Sequence, residues 1–116
     1  MSKLQLKNIT KNTVLATDVS IAESFIERGI GLLGKKTLPA HQALWIKNCY
    51  DIHTFFMRFP IDVVFLDEQL KVADIRRNMK PWRLAIKPGA NSVIEFLGGT
   101  ITESKMDIGD QLNVGA

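Results

Sequence analysis

The segment from Cys49 to Asp67 is the feature that most limits how this 116-residue chain can fold. Four of the six phenylalanines lie between Phe55 and Phe65, and the run from Ile61 to Leu66 is apolar at every position but one. Aromatic and β-branched residues favour a buried strand because they fill a pleated surface well. We therefore expect a central strand over residues 61–66 that is covered by a layer on each side.

Two charged residues, Arg58 and Asp62, interrupt this apolar segment. A carboxylate inside a buried strand must be paired, hydrogen-bonded or protonated, because an isolated buried charge is very costly. Asp62 is either structural, accepting amide bonds at the Pro60 bend or pairing with Arg58, or it is a site carboxylate. The second interpretation predicts a cost of about 1 kcal/mol or less for Asp62→Asn. Truncation of Phe55, interpreted as a core residue, should cost about 3–5 kcal/mol.

Length and composition indicate one domain over residues 1–116 that is large enough to bury a core. A hydrophobic fraction of 46% excludes a disordered chain, and a single cysteine excludes an intramolecular disulfide or a multi-thiolate zinc site. No apolar run reaches the roughly 18 residues that a membrane-spanning helix needs. The N-terminus lacks the apolar core of a signal peptide, so we expect a cytoplasmic protein, with an exported mature form as the alternative.

The net charge of +3 is mild, and the basic residues, such as Arg76, Arg77 and Lys80, are scattered along the sequence. Binding to a phosphate backbone requires clustered lysine and arginine. The charge pattern therefore indicates a solvated polar surface and no nucleic-acid partner.

Alternating apolar residues and turn signals predict roughly seven short strands at hairpin spacing. Among them are 13–16, 70–76 with a bulge near Val72, 82–87 and 92–97. One helix is predicted near residues 21–31, because Ser20 and Glu23 have capping-box spacing. One or two further helical turns are expected in residues 100–106. The predicted fold is mainly β (α+β): a small β-sandwich or partly open barrel with one packed helix.

The motif from His53 to Arg58, followed by Pro60 to Asp67, resembles the central signature of a family of bacteria and archaea, domain of unknown function 192. Further similar segments occur in the family's order along nearly the whole chain: Glu27-Arg28, Gly31-Leu32-Leu33, Val93-Ile94-Glu95 with Gly99, and Ile108-Gly109-Asp110. The resemblance implies a compact, mainly β architecture and a bacterial source. It implies no activity, because the family is uncharacterised.

Four residues are candidates for ligand binding: His53, Arg58, Asp62 and Glu95. Each carries a polar or charged group in or beside an apolar strand. Cys49 and His53 lie four residues apart, but no third orienting group accompanies them, so we predict that the thiol is buried and inert. A zinc site built from Cys49, His53 and Asp62 lacks a recognisable fourth ligand. We predict no catalytic residue, metal or cofactor.

These observations favour a small non-catalytic binding domain with a polar or anionic pocket in the sheet. Its partner would be a small polar or anionic ligand, or a segment of another protein. Two alternatives stay open: a small hydrolytic enzyme that uses His53 and Asp62 as acid and base, and a purely structural protein-interaction domain. The sequence does not determine the oligomeric state.

Overall fold

The computed structural model describes residues 3–22 and 36–116, and these residues fold mainly as β-strands. Ten strands are found in this part of the chain, so the predicted mainly β class is confirmed. They are β1 (Gln5–Asn8), β2 (Thr13–Ala16), β3 (Asp18–Ala22), β4 (Gln42–Lys47), β5 (Asp51–His53), β6 (Ile61–Leu66), β7 (Val72–Met79), β8 (Leu84–Ile86), β9 (Ser92–Leu97) and β10 (Leu112–Gly115).

The largest sheet has five strands in the order β3-β4-β9-β6-β7. Neighbouring strands within this sheet are antiparallel, except for β3 and β4, which are parallel. Every residue of β6 is buried, which confirms the strand predicted over residues 61–66. A three-stranded sheet has the order β10-β1-β2, so β1 lies between strands from opposite ends of the chain. β5 and β8 form a separate two-stranded sheet.

The five-stranded sheet is covered on both faces, which divides the core into two clusters. On one face Val64, Ile94 and Phe96 pack with Leu6 and Leu112 from the three-stranded sheet. On the other face the apolar side chains pack beneath β5, β8 and the loop after β5: Ile61, Val63, Phe65 and Val93 meet Ile52, Met57, Phe59 and Ala85. The described residues thus form three layers, and all three sheets are open.

The predicted packed helix is not supported. Ser20 lies in β3 rather than at a helix N-cap, and residues 21–22 belong to the same strand. β3 pairs in register with β4, from Asp18 opposite Gln42 to Ala22 opposite Ile46, and this sheet pairing outweighs the local capping pattern. Residues 23–31 of the predicted helix lie outside the described residues. Residues 100–106 form turns, not helical turns.

The region of the predicted bulge is irregular as expected. Phe65 lies opposite Asp74 and Leu66 opposite Val72, so Ala73 has no partner on β6. This extra residue explains the broken alternation at the start of β7. β5 ends at His53, and the chain turns at Phe55 and Phe56 in the loop that follows.

Candidate functional site

The outer surface of the two-stranded sheet is unusually apolar. β5 and β8 pair with His53 opposite Leu84 and Asp51 opposite Ile86. The alternate residues, Ile52 and Ala85, point inward and are buried. Because successive side chains of a strand point to opposite faces, the others face outward. Phe55, Phe56 and Trp82 of the adjacent loops continue this surface through ring contacts with His53 and with one another. We name the surface formed by His53, Phe55, Phe56, Trp82, Leu84 and Ile86 the aromatic face.

The rings of the aromatic face contact one another while remaining exposed. His53 stacks on Phe55 with ring centroids 5.1 Å apart, and Phe55 stacks with Trp82 at 6.0 Å. Phe56 meets Trp82 edge-on at 4.7 Å. Phe56 and Trp82 are nevertheless 69% and 57% exposed. Large apolar side chains of this exposure form a contiguous patch, which is uncommon on a free surface.

Thr54 holds the two loops of the aromatic face together. Its side chain is fully buried, and its Oγ1 donates to the Lys80 carbonyl at 2.6 Å and accepts from the Arg83 amide at 2.9 Å. Its backbone N–H donates to the Arg83 carbonyl, and its carbonyl accepts from the amides of Met57 and Trp82. Four of these bonds fix the loop after β5 against the loop before β8, and the bond from Met57 lies within the first loop.

Two of the exposed aromatic residues have left-handed backbone conformations, with φ of 66° at Phe56 and 65° at Trp82. A bulky residue seldom adopts this region, since its Cβ crowds the following carbonyl at a cost of roughly 1–2 kcal/mol. Strain of this kind is found where the surrounding structure over-determines it, often at functional sites. Here it keeps two rings at the surface that burial does not stabilise.

The two segments that build this surface carry an excess of positive charge. Segments 50–60 and 80–87 contain Arg58, Lys80, Arg83 and Lys87 but only one acid, Asp51. The remaining 11 basic and 11 acidic residues balance, so the net charge of +3 comes entirely from these two segments. A surface of one sign favours partners of the opposite charge.

Two of the four predicted ligand residues lie at this surface. His53 is exposed on the outer side of β5, and its Nδ1 accepts a hydrogen bond from the Phe55 amide at 3.3 Å. Arg58 is exposed in the loop between β5 and β6, two residues after Phe56. Within the described residues no ion pair joins Arg58 to Asp62.

Asp62 is fully buried and serves as an acceptor for three backbone amides. Its Oδ1 accepts from the N–H of Asn78 at 2.7 Å and of Gly99 at 3.1 Å, and its Oδ2 accepts from Ile101 at 2.7 Å. The carboxylate thereby connects the end of β7 to the turn after β9. This geometry favours the structural interpretation of Asp62, with amides of β7 and residues 99–101 as its partners.

Glu95 is also buried, at 4% exposure, but its surroundings are apolar. In β9 it lies between Leu44 and Val63 of the neighbouring strands. Among the described residues no hydrogen bond or ion pair to its carboxylate is found. Burial alone raises the pKa of Glu95 from the ordinary value of 4.5 to about 7.

The five-stranded sheet separates the buried acids. Glu95 pairs directly with Val63 and shares its face, whereas Asp62, one residue earlier in β6, points to the opposite face. The aromatic face lies on the Val63 side, above β5 and β8. Asp62 therefore meets neither Glu95 nor His53, and the hydrolytic alternative gains no support from the geometry. The four predicted residues do not line a common pocket.

The thiol of Cys49 forms a solvent-exposed hydrogen bond with the backbone. Its Sγ donates to the Asp51 carbonyl at 2.8 Å, and its side chain is half-buried rather than buried as predicted. In residues 3–22 and 36–116 no three His, Cys, Asp or Glu side chains lie close enough to hold a metal ion. No helix in these ranges is long and apolar enough to cross a membrane.

Sequence reasoning missed Thr54 and Trp82 as members of the site. The alternation of Trp82, Leu84 and Ile86 signalled one apolar face, but apolar faces of strands are buried by default. One signal was available in the sequence. The residues that alternate with Trp82, Leu84 and Ile86 are Arg83, Ala85 and Lys87, and a small side chain such as Ala85 fits where a strand packs closely on another layer.

Phe55 is 37% exposed and belongs to the aromatic face, so its interpretation as a core residue was wrong. We expect Phe55→Ala to lower the free energy of unfolding by about 1 kcal/mol or less, whereas Phe65→Ala, which truncates a fully buried ring, should cost about 3–5 kcal/mol. Urea midpoints of the two variants measure the difference. Equal losses would show that Phe55 is packed as tightly as Phe65.

Comparison with known proteins identifies relatives of this chain. The model of DUF192, described as "Uncharacterized ACR", matches residues 6–114. A UPF0127 protein of Pyrococcus horikoshii is 38% identical over 111 residues, covering 90% of this chain and 94% of the relative. A UPF0127 protein of Thermococcus sibiricus is 37% identical, covering 93% and 73%. These relatives are archaeal, so the expected bacterial source is not supported.

Two solved structures share the fold. A protein of unknown function from Novosphingobium aromaticivorans superposes with a TM-score of 0.80 at 18% identity, covering 95% of this chain and 82% of the other. A protein from Sinorhizobium meliloti, described as a candidate transcription regulator, has a TM-score of 0.82 at 17% identity, covering 98% and 96%. At these identities the likeness establishes the fold alone.

Proposed function

We propose that this chain, which belongs to the DUF192 family of uncharacterized proteins, is a non-catalytic binding domain. Its aromatic face would contact an acidic segment of another protein. The observation that carries this proposal is the exposure of Phe56 and Trp82 on strained backbone. Both rings are more than half exposed, and both residues have left-handed backbone conformations that Thr54 helps to fix. Tryptophan and other aromatic anchors dominate the energetics of protein interfaces.

The charge around the face supports an acidic partner. The two segments that carry the rings contain four basic residues and one acid, Asp51, so carboxylates of a partner would meet complementary charge there. Such rim charges raise the association rate and the specificity more than the affinity, which would come from the apolar centre. The proposal keeps His53 and Arg58 as contact residues and assigns Asp62 to the support of the fold.

Ring contacts favour a protein segment over ligands that stack flat. Phe55 lies nearly parallel to both His53 and Trp82, with interplanar angles of 23° and 28°, and Phe56 packs edge-on against Trp82. A single-stranded nucleic acid binds aromatic residues through free ring faces. Rings that already pair with one another offer a broad apolar surface, which suits aliphatic and aromatic side chains of a peptide.

A defined peptide library tests the proposal. The library consists of octapeptides with glutamate at alternate positions and valine, leucine, isoleucine, phenylalanine or tyrosine at the others. A second library replaces glutamate with lysine, and a 15-nucleotide oligothymidylate represents single-stranded nucleic acid. Immobilised protein should retain the glutamate library, and Trp82→Ala should lower its retention at least about tenfold, which corresponds to about 1.4 kcal/mol.

The matched control is Ile108→Ala, which removes an apolar side chain of 64% exposure outside the two segments that build the aromatic face. It should leave retention unchanged. Retention of neither library, or equal retention of both, would contradict the proposal. Retention of the oligonucleotide in place of the peptides would show that the partner is a nucleic acid.

A further inference from the structure

We infer that the partner segment binds as an added β-strand in the groove between β8 and β7, with its carboxylates directed at the arginines that line this groove. This inference rests on the proposed function, because it specifies how an acidic segment engages the site. The groove is next to the aromatic face and is formed by main-chain groups and guanidinium groups rather than by rings.

One edge of β8 bonds to no strand in the described part of the chain. In an antiparallel pair, residues that exchange main-chain hydrogen bonds alternate with residues whose N–H and C=O point away. The bonds from Thr54 N to Arg83 O and from Lys87 N to Tyr50 O fix this alternation, so Ala85 is the bonded residue between them. The N–H and C=O groups of Leu84 and Ile86 therefore point away from β5.

β7 is an edge strand of the five-stranded sheet, and its outer edge is also without a strand partner among the described residues. Bonds from Gly98 N to Pro60 O and from Asn91 N to Leu66 O show that the even-numbered residues of β6 bond to β9. The odd-numbered ones then bond to β7, which turns Asp74 and Arg76 inward and leaves the main-chain groups of Ile75 and Arg77 on the outer edge. In agreement, the Ile75 amide donates to the side chain of Asp74 at 2.9 Å.

A groove of about 410 Å³ lies between the two edges. Its lining comes from both strands and the residues beside them: Ile75, Arg76, Arg77, Met79, Arg83, Leu84 and Ala85. The lining therefore includes Ile75 and Arg77 from one free edge and Leu84 from the other. In the sheet order of the described residues β7 and β8 are edge strands that do not bond to each other. An extended segment placed here would join the two-stranded sheet to the five-stranded one.

The groove also has unbalanced positive charge. Arg76 pairs with Asp74 at 2.8 Å and reaches the outward carbonyl of Ile86 at 3.4 Å, a long contact that a bound strand could replace. Arg77 donates only to the carbonyls of Ile101 and Met106, and Arg83 only to carbonyls of its own loop. Two guanidinium groups thus have no carboxylate partner among the described residues. A carboxylate forms stronger hydrogen bonds with guanidinium than a carbonyl does.

Strand addition uses these two features together. Main-chain hydrogen bonds to an exposed edge provide affinity, and alternate side chains of the added strand provide specificity. A segment with acidic residues at every second position would direct one set of side chains towards Arg83. The other set would continue the apolar surface of Leu84 and Ile86.

Amide hydrogen exchange measured by NMR tests the inference with the glutamate library as the probe. In the free protein the amides of Leu84 and Ile86 should exchange quickly, and the Ala85 amide should be protected. Excess library should slow exchange at Leu84 and Ile86 at least about tenfold. A library N-methylated at every apolar position, which keeps the side chains but loses half of the donors, should bind at least about tenfold more weakly.

Substitutions in β8 provide a second measurement. Leu84→Pro removes an N–H that bonds to no strand in the protein, so the fold should tolerate it as edge strands tolerate proline. It should weaken library binding at least about tenfold more than Leu84→Ala, which removes the same side chain and keeps the N–H. If the Leu84→Pro variant does not fold, the N-methylated library still decides the question.

The outcomes separate the two proposals. Library binding that Trp82→Ala weakens, with fast exchange at Leu84 and Ile86 and no loss on N-methylation, would overturn strand addition and leave the binding function intact. Failure of the glutamate library to bind would overturn the binding function, and strand addition with it. Slowed exchange at both amides, with weaker binding of the N-methylated library, supports both.

Discussion

Replacing Asp62 with asparagine should lower the free energy of unfolding by about 3 kcal/mol, close to the cost of truncating a buried aromatic residue. Both carboxylate oxygens accept backbone amides, whereas asparagine has one acceptor oxygen. Whichever way the amide group turns, its NH2 faces a backbone donor, and at least one buried N–H loses its partner. Such a loss costs about 1–3 kcal/mol, and the contact between two donors adds to it. Urea midpoints measure the effect.

Asp67→Asn is the matched control, because Asp67 Oδ1 also accepts two amides, from Gln69 at 2.8 Å and Lys71 at 2.9 Å. That turn is exposed to water, so the substitution should cost about 1 kcal/mol or less. Equal midpoints for Asp62→Asn and Asp67→Asn would contradict the structural assignment of Asp62. The order expected from the structure reverses the one expected from the sequence, in which Asp62 was tolerant and Phe55 was critical.

Glu95→Gln should stabilise the protein above pH 7 and leave it little changed below pH 5. Burial raises the pKa of Glu95 to about 7 in the folded chain, while the unfolded chain keeps the ordinary value of 4.5. Between these values the folded state binds a proton that the unfolded state has lost. The contribution of Glu95 is therefore fully present below pH 4.5 and is lost as the pH rises through 7. The difference amounts to about 3 kcal/mol at most.

Denaturant unfolding between pH 5 and pH 8 checks this expectation. The free energy of unfolding of the wild type should fall relative to that of Glu95→Gln across the range. Glu103→Gln, which removes an exposed carboxylate, should follow the wild type at every pH. Parallel curves for the wild type and Glu95→Gln would mean that the carboxylate is solvated or paired in solution.

Buried strands could be predicted well from the sequence. β6 has the predicted bounds because its residues are apolar on both faces, and β2 and β9 also end where turn residues predict. The irregular start of β7 was visible as broken alternation. In each case the local pattern and the burial agree, so no knowledge of distant parts of the chain was needed.

The aromatic face could not be predicted in the same way. Alternation in 82–87 gives the period of a strand but does not say which side is covered. Here Ala85 is inside and Leu84 and Ile86 are outside, because β8 packs on a sheet that is already filled by Phe65 and Val63. Which face of β8 is buried depends on these tertiary contacts, and the sequence near β8 does not contain them.

The sequence did not show which of the four candidate ligand residues share a surface. His53 and Arg58 lie at the proposed surface, while Asp62 and Glu95 are buried on opposite sides of one sheet. Glu95 pairs with Val63, and Asp62 is the residue before Val63 in β6, so the two acids point to opposite faces of the sheet. The burial of both acids was foreseeable from their apolar neighbours, but this pairing was not. Thr54 carries the loop contacts and has no local pattern that would single it out.

The position of β1 between β2 and β10 has a consequence for synthesis of the chain on the ribosome. β1 and β2 are available early as a hairpin, but β1 keeps one unpaired edge until Gln5 can meet Gly115. Closing a loop of this length costs chain entropy before any contact rewards it. One apolar side of the five-stranded sheet therefore stays incompletely covered until β10 has been synthesised and has paired with β1.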